Sequence, residues 1–279
     1  VGIGCEELMF VYEQVPDFSP FPTYPVILTM KGVTYDVDTP ASSDRYLGKS
    51  RQPSPHGPRV PKLTGVRVGV DGERYIERIK DIPADGARMV VRSRLMGVHK
   101  RGSGAIVETE SELLGQDGTV YYRFISGGFQ VGARDFKDAG TTNSMAVTPP
   151  DRDPDVVVEQ VVPPTQAHVY RLSGDYNPLH IDPQSPMVKN GGFQRPILHG
   201  LCTMGHAARA VLSACADNDP QRFRAIKVRF ASPVFPGSTL VTRCWRTERG
   251  RVVFTTAVKE TGKVAISNAY MDLVPAARL

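Results

Sequence analysis

The chain has 279 residues, 41% hydrophobic and 23% charged, a balance inside the globular range and long enough for one large domain or two of ordinary size. It holds no run of about eighteen uncharged apolar residues of the kind a membrane span needs. Its opening, VGIGCEELMF, has neither the basic head nor the apolar core of a signal peptide, and the first residue, Val1, points to a trimmed start. The net charge of +5, from 34 basic and 29 acidic residues, leaves nucleic acid, an anionic small molecule and plain solubility all open.

Clusters decide more than totals. The densest basic stretches, GVHKRGSG at 97–104 and RFRAIKVR at 222–229, are short and lack the aromatic signature of RNA-binding sheets. We read them as phosphate grippers or solvated faces and expect no nucleic-acid partner. The cysteines Cys5, Cys202, Cys215 and Cys244 lie far apart with no C-x-x-C spacing, which argues against a zinc site and a dense disulfide framework and for a reducing compartment.

Residues 15–62 form a Pro-rich stretch whose fixed φ angles and missing donors argue against regular structure over much of it. A helix is expected near Gly72 to Lys80, though its periodicity is weak. From residue 86 three β-rich runs, ARMVVRSRLMGV, GAIVETESELL and TVYYRFISGGF, are separated by turn signals in RGSG and GQDG, the pattern of an antiparallel meander. TPPDRDPD at 148–155 reads as a connector between two blocks. The second block begins with the loop YRLSGDYNPLHIDP and an apolar segment from Ile197 to Cys215. There Leu201, Met204, Ala208, Val211 and Cys215 recur at three- and four-residue steps, the stripe of a buried helix. Four more β-rich runs follow, AIKVRFASPV, STLVTRCWRT, RVVFTTAVKE and KVAISNAYMDLV. Two halves, each a curled sheet around a helix, could pair their sheets.

The loop from Tyr170 to His180 puts a carboxylate (Asp175), an amide (Asn177) and an imidazole (His180) within six residues, stiffened by Pro178. Followed by IDP and by RPILHGLCTMG, it resembles the signature of type 2, (R)-specific enoyl-CoA hydratases, a MaoC-like group. RFRAIKVRFASPVFPG, TGKVAISNAYMDLVP, KRGSG and ISGGFQVG extend the resemblance over most of the chain. It implies an α+β fold, the double hot dog, in which two curled antiparallel sheets each wrap a central helix. Residues 1–148 are then an N-terminal unit that binds the acyl chain, 149–155 a linker, and 156–279 the catalytic unit. It also implies a homodimer, an acyl-CoA thioester as substrate, and work in peroxisomal β-oxidation. The ending Ala277-Arg278-Leu279 is similar to the Ser-Lys-Leu address read by a peroxisomal import receptor.

Hydrating a trans-2-enoyl thioester requires water to attack C3 while a proton reaches C2 and negative charge gathers on the thioester oxygen. A carboxylate and a neutral imidazole on one side can hold the water, take its proton and return one to C2, so Asp175 and His180 are the expected pair, with Asn177 orienting the water or the pair. The developing oxyanion needs preorganised donors, and the Gly200 N–H at a helix start suits that need. No metal or cofactor is expected. The bland reading of Gly-Asp-x-Asn-Pro is an Asx-type turn, and on that motif alone it would be preferred; His180 and PILHG tip the balance. His199 is read as a structural residue bonding the loop, His56, His99, His168 and His206 as non-catalytic, and Cys202 as a buried hydrophobe. The resemblance further assigns substrate contacts to Tyr176, Pro178, Leu179, Arg101, Phe230 and Gly72. Where the family often has His-Gly-Glu, this chain has Asp71-Gly72-Glu73. The rival readings are a hot-dog acyl-CoA thioesterase and a catalytically idle module that kept the fold.

Overall fold

In the computed structural model the described residues are 5–31, 61–83 and 85–275. Expectations placed on His56, on residues 32–60 of the Pro-rich stretch and on Ala277-Arg278-Leu279 lie outside them. Among the described residues ten strands share one antiparallel sheet, in the order β5-β2-β3-β4-β1-β7-β10-β9-β8-β6. The strands are β1 (Val68–Arg78), β2 (Met89–Arg101), β3 (Gly104–Gly115), β4 (Val120–Val131), β5 (Ala139–Gly140), β6 (Val156–Val161), β7 (Phe223–Phe230), β8 (Thr239–Arg246), β9 (Arg251–Val258) and β10 (Val264–Leu273). The helices are α1 (Leu28–Lys31), α2 (Gln166–Arg171), α3 (Pro186–Asn190) and α4 (Gly200–Ala216).

Strands β1 and β7 pair from Glu73↔Arg229 to Glu77↔Ala225 and join the two halves into one open sheet. The architecture is the expected α+β double hot dog. The region expected as a helix near Gly72 to Lys80 is instead strand β1. A bulge at Gly72 shifts its register between Asp71 and Glu73. Val68 and Val70 therefore share a face with Glu73, Tyr75 and Glu77, and the jump from even to odd numbers hides the two-residue period on which strand recognition depends. Only Ile76 of this strand is fully buried, so it offered little apolar alternation to read.

The long helix α4 sits in the second half. Met204, Ala207, Ala208, Ala210, Val211, Leu212 and Ala216 are all essentially inaccessible, because β6 to β10 wrap it on most sides. Burying side chains the size of Met204 or Leu212 is worth roughly 1.5–3 kcal/mol each. The helix stops where Asp217 and Asn218 enter the left-handed region at φ 54° and 58°, and both N–H groups turn back to Leu212 O. In the first half, Phe10 and Val26 from the N-terminal segment join the same buried cluster as Ile76, Leu113, Tyr122 and Phe124.

Residues 143–147 cross the outer face of the sheet. Asn143 N donates to Glu108 Oε1 at 2.9 Å, Ser144 Oγ to Glu73 Oε1 at 2.9 Å, and Val147 N to Asn268 Oδ1 at 3.4 Å. Lys227 Nζ donates to Met145 O at 3.0 Å and lies 3.3 Å from Glu73 Oε2. These partners stand on β3, β1, β10 and β7, so the segment just before the connector is fastened across the junction of the halves.

Candidate active site

Helix α2 delivers the chain to Gly174, whose φ of 103° only glycine adopts readily, and the turn it allows points Asp175 toward the start of α4. Asn177 caps the short 3-10 turn Pro178–His180: its Oδ1 accepts from Leu179 N at 3.0 Å, while Asp175 Oδ1 accepts from Asn177 N at 3.3 Å. The Asx-type turn is therefore present, and it also carries the candidate groups Asp175, Asn177 and His180. With the Asn177 oxygen already accepting from Leu179 N, its NH2 group is the donor it can offer a water. Arg171 lies 4.9 Å over the Tyr176 ring and donates to Tyr176 O at 2.6 Å, which fixes the outer side of the loop.

The turn places His180 against the residues before α4. Its Nδ1 is 2.9 Å from Ile197 O; a carbonyl only accepts, so Nδ1 carries the hydrogen and the Nε2 of the neutral ring has a free lone pair. Burial lowers the His180 pKa, against the opposing pull of Ile197 O and the Asp175 charge. The His199 ring stacks on it, centroids 3.7 Å apart at 29°. His199 Nε2 lies 3.3 Å from Asp175 O and 4.0 Å from Asp175 Oδ2. Burial first, and the neighbouring His180 second, drive the His199 pKa down to about 3. As expected, His199 bonds the loop; its stacking on His180 was not anticipated, and its place directly before Gly200 was the only sequence signal.

The remaining expected residues divide in two. Gly200 opens α4, and the His199 side chain leaves its first-turn N–H groups uncapped. The Phe230 ring closes over Gly200, 3.4 Å from where a Cβ would stand. Gly72 is the β1 bulge, where a Cβ would meet Gly127 O at 3.0 Å and Phe129 Cβ at 3.2 Å. Asp71, bonded by Arg74 Nε at 3.0 Å, has its pKa raised by burial, opposed by Arg74 and reinforced by the charge of Asp175, so β1 brings it toward the loop. Pro178 and Leu179 are half-buried in the turn. Arg101 stands apart, at the β2–β3 turn, its guanidinium on Lys100 O at 2.9 Å and Thr142 Oγ1 at 3.4 Å. Cys202 is buried, its thiol pushed up to about 12.

The ligand atoms of Asp175, His180 and His199 lie within 4.8 Å of one another. Stacked rings aim their in-plane lone pairs side by side instead of converging on one point, and His199 Nε2 is turned to Asp175 O. The group is better built to hold a proton and a water than a tetrahedral ion.

A family model described as MaoC like domain matches residues 145–269. The chain is 40% identical to the peroxisomal multifunctional enzyme type 2 of Mus musculus over 99% of its own length and 35% of that protein's. It is 34% identical to a protein of Arabidopsis thaliana named enoyl-CoA hydratase 2, peroxisomal, over 98% of its length and 84% of the relative's. Among solved structures, a MaoC-like dehydratase from Phytophthora capsici superposes with a TM-score of 0.83 at 36% identity, covering 97% of this chain and 88% of that one. The chain spans about a third of the length of the mouse multifunctional enzyme it matches.

Proposed function

The chain belongs to the MaoC-like family, in its enoyl-CoA hydratase 2 branch, and from that premise we propose that it hydrates trans-2-enoyl-CoA reversibly to (R)-3-hydroxyacyl-CoA in fatty-acid β-oxidation. The observation that carries this reading is the approach of a carboxylate, Asp175, to a buried neutral imidazole, His180, beside the uncapped start of α4. His180 Nε2 and the Asp175 carboxylate share one water, remove its proton as oxygen attacks C3, and supply the proton that C2 takes up. The Asn177 NH2 group orients that water. The Gly200 N–H receives the charge on the thioester oxygen, helped by the positive end of the helix dipole. Phe230, Gly72, Tyr176, Pro178 and Leu179 shape the substrate's seat, and Arg101 takes a phosphate of CoA.

Residues 1–148 serve as the acyl-chain unit and 156–279 as the catalytic unit, and the chain works as a homodimer. Relatives named peroxisomal support a peroxisomal location, with Ala277-Arg278-Leu279 as the address. The test is incubation with crotonyl-CoA and a longer enoyl-CoA, following loss of the enoyl-thioester absorbance and resolving the product on a chiral column. The (R)-3-hydroxy product without free CoA supports hydration. Free CoA release would make the protein a thioesterase, and no turnover of either substrate would leave the reading without its activity.

A further inference from the structure

His199, the residue directly before α4, is built at a cost that packing does not explain. Its ring is almost wholly buried. Nε2 faces the backbone oxygen of Asp175 at 3.3 Å; a carbonyl only accepts, so Nε2 carries the hydrogen and Nδ1 is left as a lone pair. That Nδ1 is buried and has no hydrogen-bond partner among the described residues. A buried acceptor without a donor weakens a fold, and a phenyl ring would fill the same space without one. What the imidazole adds over a phenyl ring is the Nε2–H and its hold on the Asp175 backbone.

The backbone of His199 is itself fixed at the mouth of α4. Leu198 N donates to Val234 O at 2.7 Å, and His199 O accepts from Thr203 N at 3.0 Å and from Thr203 Oγ1 at 3.2 Å. The ring stacks on His180, centroids 3.7 Å apart, and the Tyr170 ring of α2 lies 4.7 Å from it, tilted by 50°. Asp175, by contrast, follows Gly174, whose φ of 103° marks a permissive joint. The bonds from Leu179 N to Asn177 and from Asn177 N to Asp175 run inside the loop and move with it. The bond from His199 ties Asp175 to the rigid start of α4 instead.

We propose that His199 is the positioning residue of the catalytic pair: its ring face fixes the plane of His180, and its Nε2–H fixes Asp175 through the backbone oxygen, so that both groups meet one water. This inference rests on the hydratase reading and adds a residue to it. His199 itself needs no contact with substrate or with the reacting atoms. Of its two contacts, one acts on the imidazole and the other on the carboxylate, so each can be removed separately. A displacement of about 1 Å between reacting groups can cost on the order of 10²-fold in rate. The loss falls on kcat, because other residues make the substrate's seat.

The test is steady-state hydration of crotonyl-CoA and of a longer enoyl-CoA, together with thermal melts, on the full chain and three variants. His199→Phe keeps a stacked ring and loses the bond to Asp175 O; His199→Gln keeps a donor for that oxygen and loses the ring; His199→Ala loses both. Each of the first two should lower kcat about tenfold to a hundredfold with KM within about twofold of wild type, and His199→Ala should fall further. His199→Phe should melt close to the wild type while losing that rate, a separation that a merely structural residue would not give. If a His199 variant does not fold, Tyr170→Leu decides in its place: it takes away the neighbouring ring, leaves the bond to Asp175 O, and should lower kcat with KM unchanged. Wild-type kcat in folded His199→Phe or in that Tyr170 variant, or a loss carried by KM alone, would overturn the proposal and leave the hydratase reading standing. A wild-type chain that hydrates neither substrate would take the reading and the inference down together.

Discussion

The imidazole of His199 lies 3.7 Å beneath that of His180, tilted by 29°, and its Nε2 reaches the backbone oxygen of Asp175. One buried ring therefore sets both the plane of the imidazole and the position of the carboxylate's backbone. Both histidines are held neutral, chiefly by burial. A charge on either ring would be buried in a low-dielectric site, and a charge on both would place two cations face to face, so the pair has a consequence for stability.

That consequence has a definite sign. An unfolded histidine titrates near 6.5, whereas folded His199 titrates near 3. Above about 6.5 neither state is protonated and the full stability is present. As pH falls below that value the unfolded chain binds a proton that the folded chain refuses, so stability is lost, by up to about 1.4 kcal/mol per pH unit for each such group. Urea unfolding at pH 7, 6 and 5 should show this decline. His199→Phe, which keeps a stacked ring but cannot titrate, should show a shallower one. An unchanged slope in that variant would assign the proton uptake elsewhere.

The fastening of residues 143–147 yields a second prediction. Lys227 is almost completely buried, with Glu73 as its counter-charge. Glu73→Ala leaves a buried ammonium held by the Met145 carbonyl alone among the contacts described above and should cost about 3–5 kcal/mol, the range found when one partner of a buried pair is removed. Replacing Lys227 by Met in the same chain should recover most of the loss, since the uncompensated charge is then gone. Denaturant midpoints of the two single variants and the double variant test this. Additive losses would contradict it.

What could be read from the sequence followed the strength of the local signal. The α4 stripe through Leu201, Met204, Ala208 and Val211 was legible because a helix wrapped on most sides must be apolar, and the meander strands were legible from their turns. Strand β1 was not: its bulge at Gly72 breaks the alternation and its charged residues resemble a solvated helix. Strand β6, whose VVVEQV alternates between half-buried and exposed positions, is a short sheet edge directly after the connector and was not read as a strand. Asp175, Asn177 and His180 were visible because they fall within six residues of one loop. His199 and Asp71 reach that loop only through tertiary packing, from the mouth of α4 and from the unrecognised strand. No spacing in the chain encodes those approaches.

Arg101 gives a third prediction. It lies at a strand turn, bonded to Lys100 O and Thr142 Oγ1 and within the field of the exposed Asp138 carboxylate, a solvent-screened neighbour that leaves part of its charge for an anion. If it grips a CoA phosphate near solvent, Arg101→Ala should raise KM more than it lowers kcat, and the difference should shrink as salt is added because the contact is screened. Steady-state kinetics at low and high salt measure both effects. Equal KM for the two proteins at low salt would remove Arg101 from the binding site.

The last prediction concerns the pair itself. The polar atoms of Asp175 and His180 lie within 4.8 Å of one another, and in the proposed mechanism each needs the other to keep one shared water in place while its proton moves to C2. Groups that act as a unit are strongly non-additive: losing one destroys the arrangement, and losing the second removes little that is still working. General acid–base groups typically supply about 10²–10⁴-fold each, so Asp175→Asn and His180→Gln should each lower kcat/KM by at least about 10²-fold, with the double variant close to the worse single one. The fold should survive in both. Asn at position 175 keeps an oxygen for Asn177 N, and the His199 bond goes to the backbone oxygen, which the substitution leaves in place. Gln at position 180 keeps a donor for Ile197 O. Hydration and thiol release are assayed together, so that loss of a thioesterase activity is not mistaken for loss of hydration. Wild-type hydration by folded Asp175→Asn, on a substrate the enzyme turns over well, would remove Asp175 from the mechanism and the shared water with it.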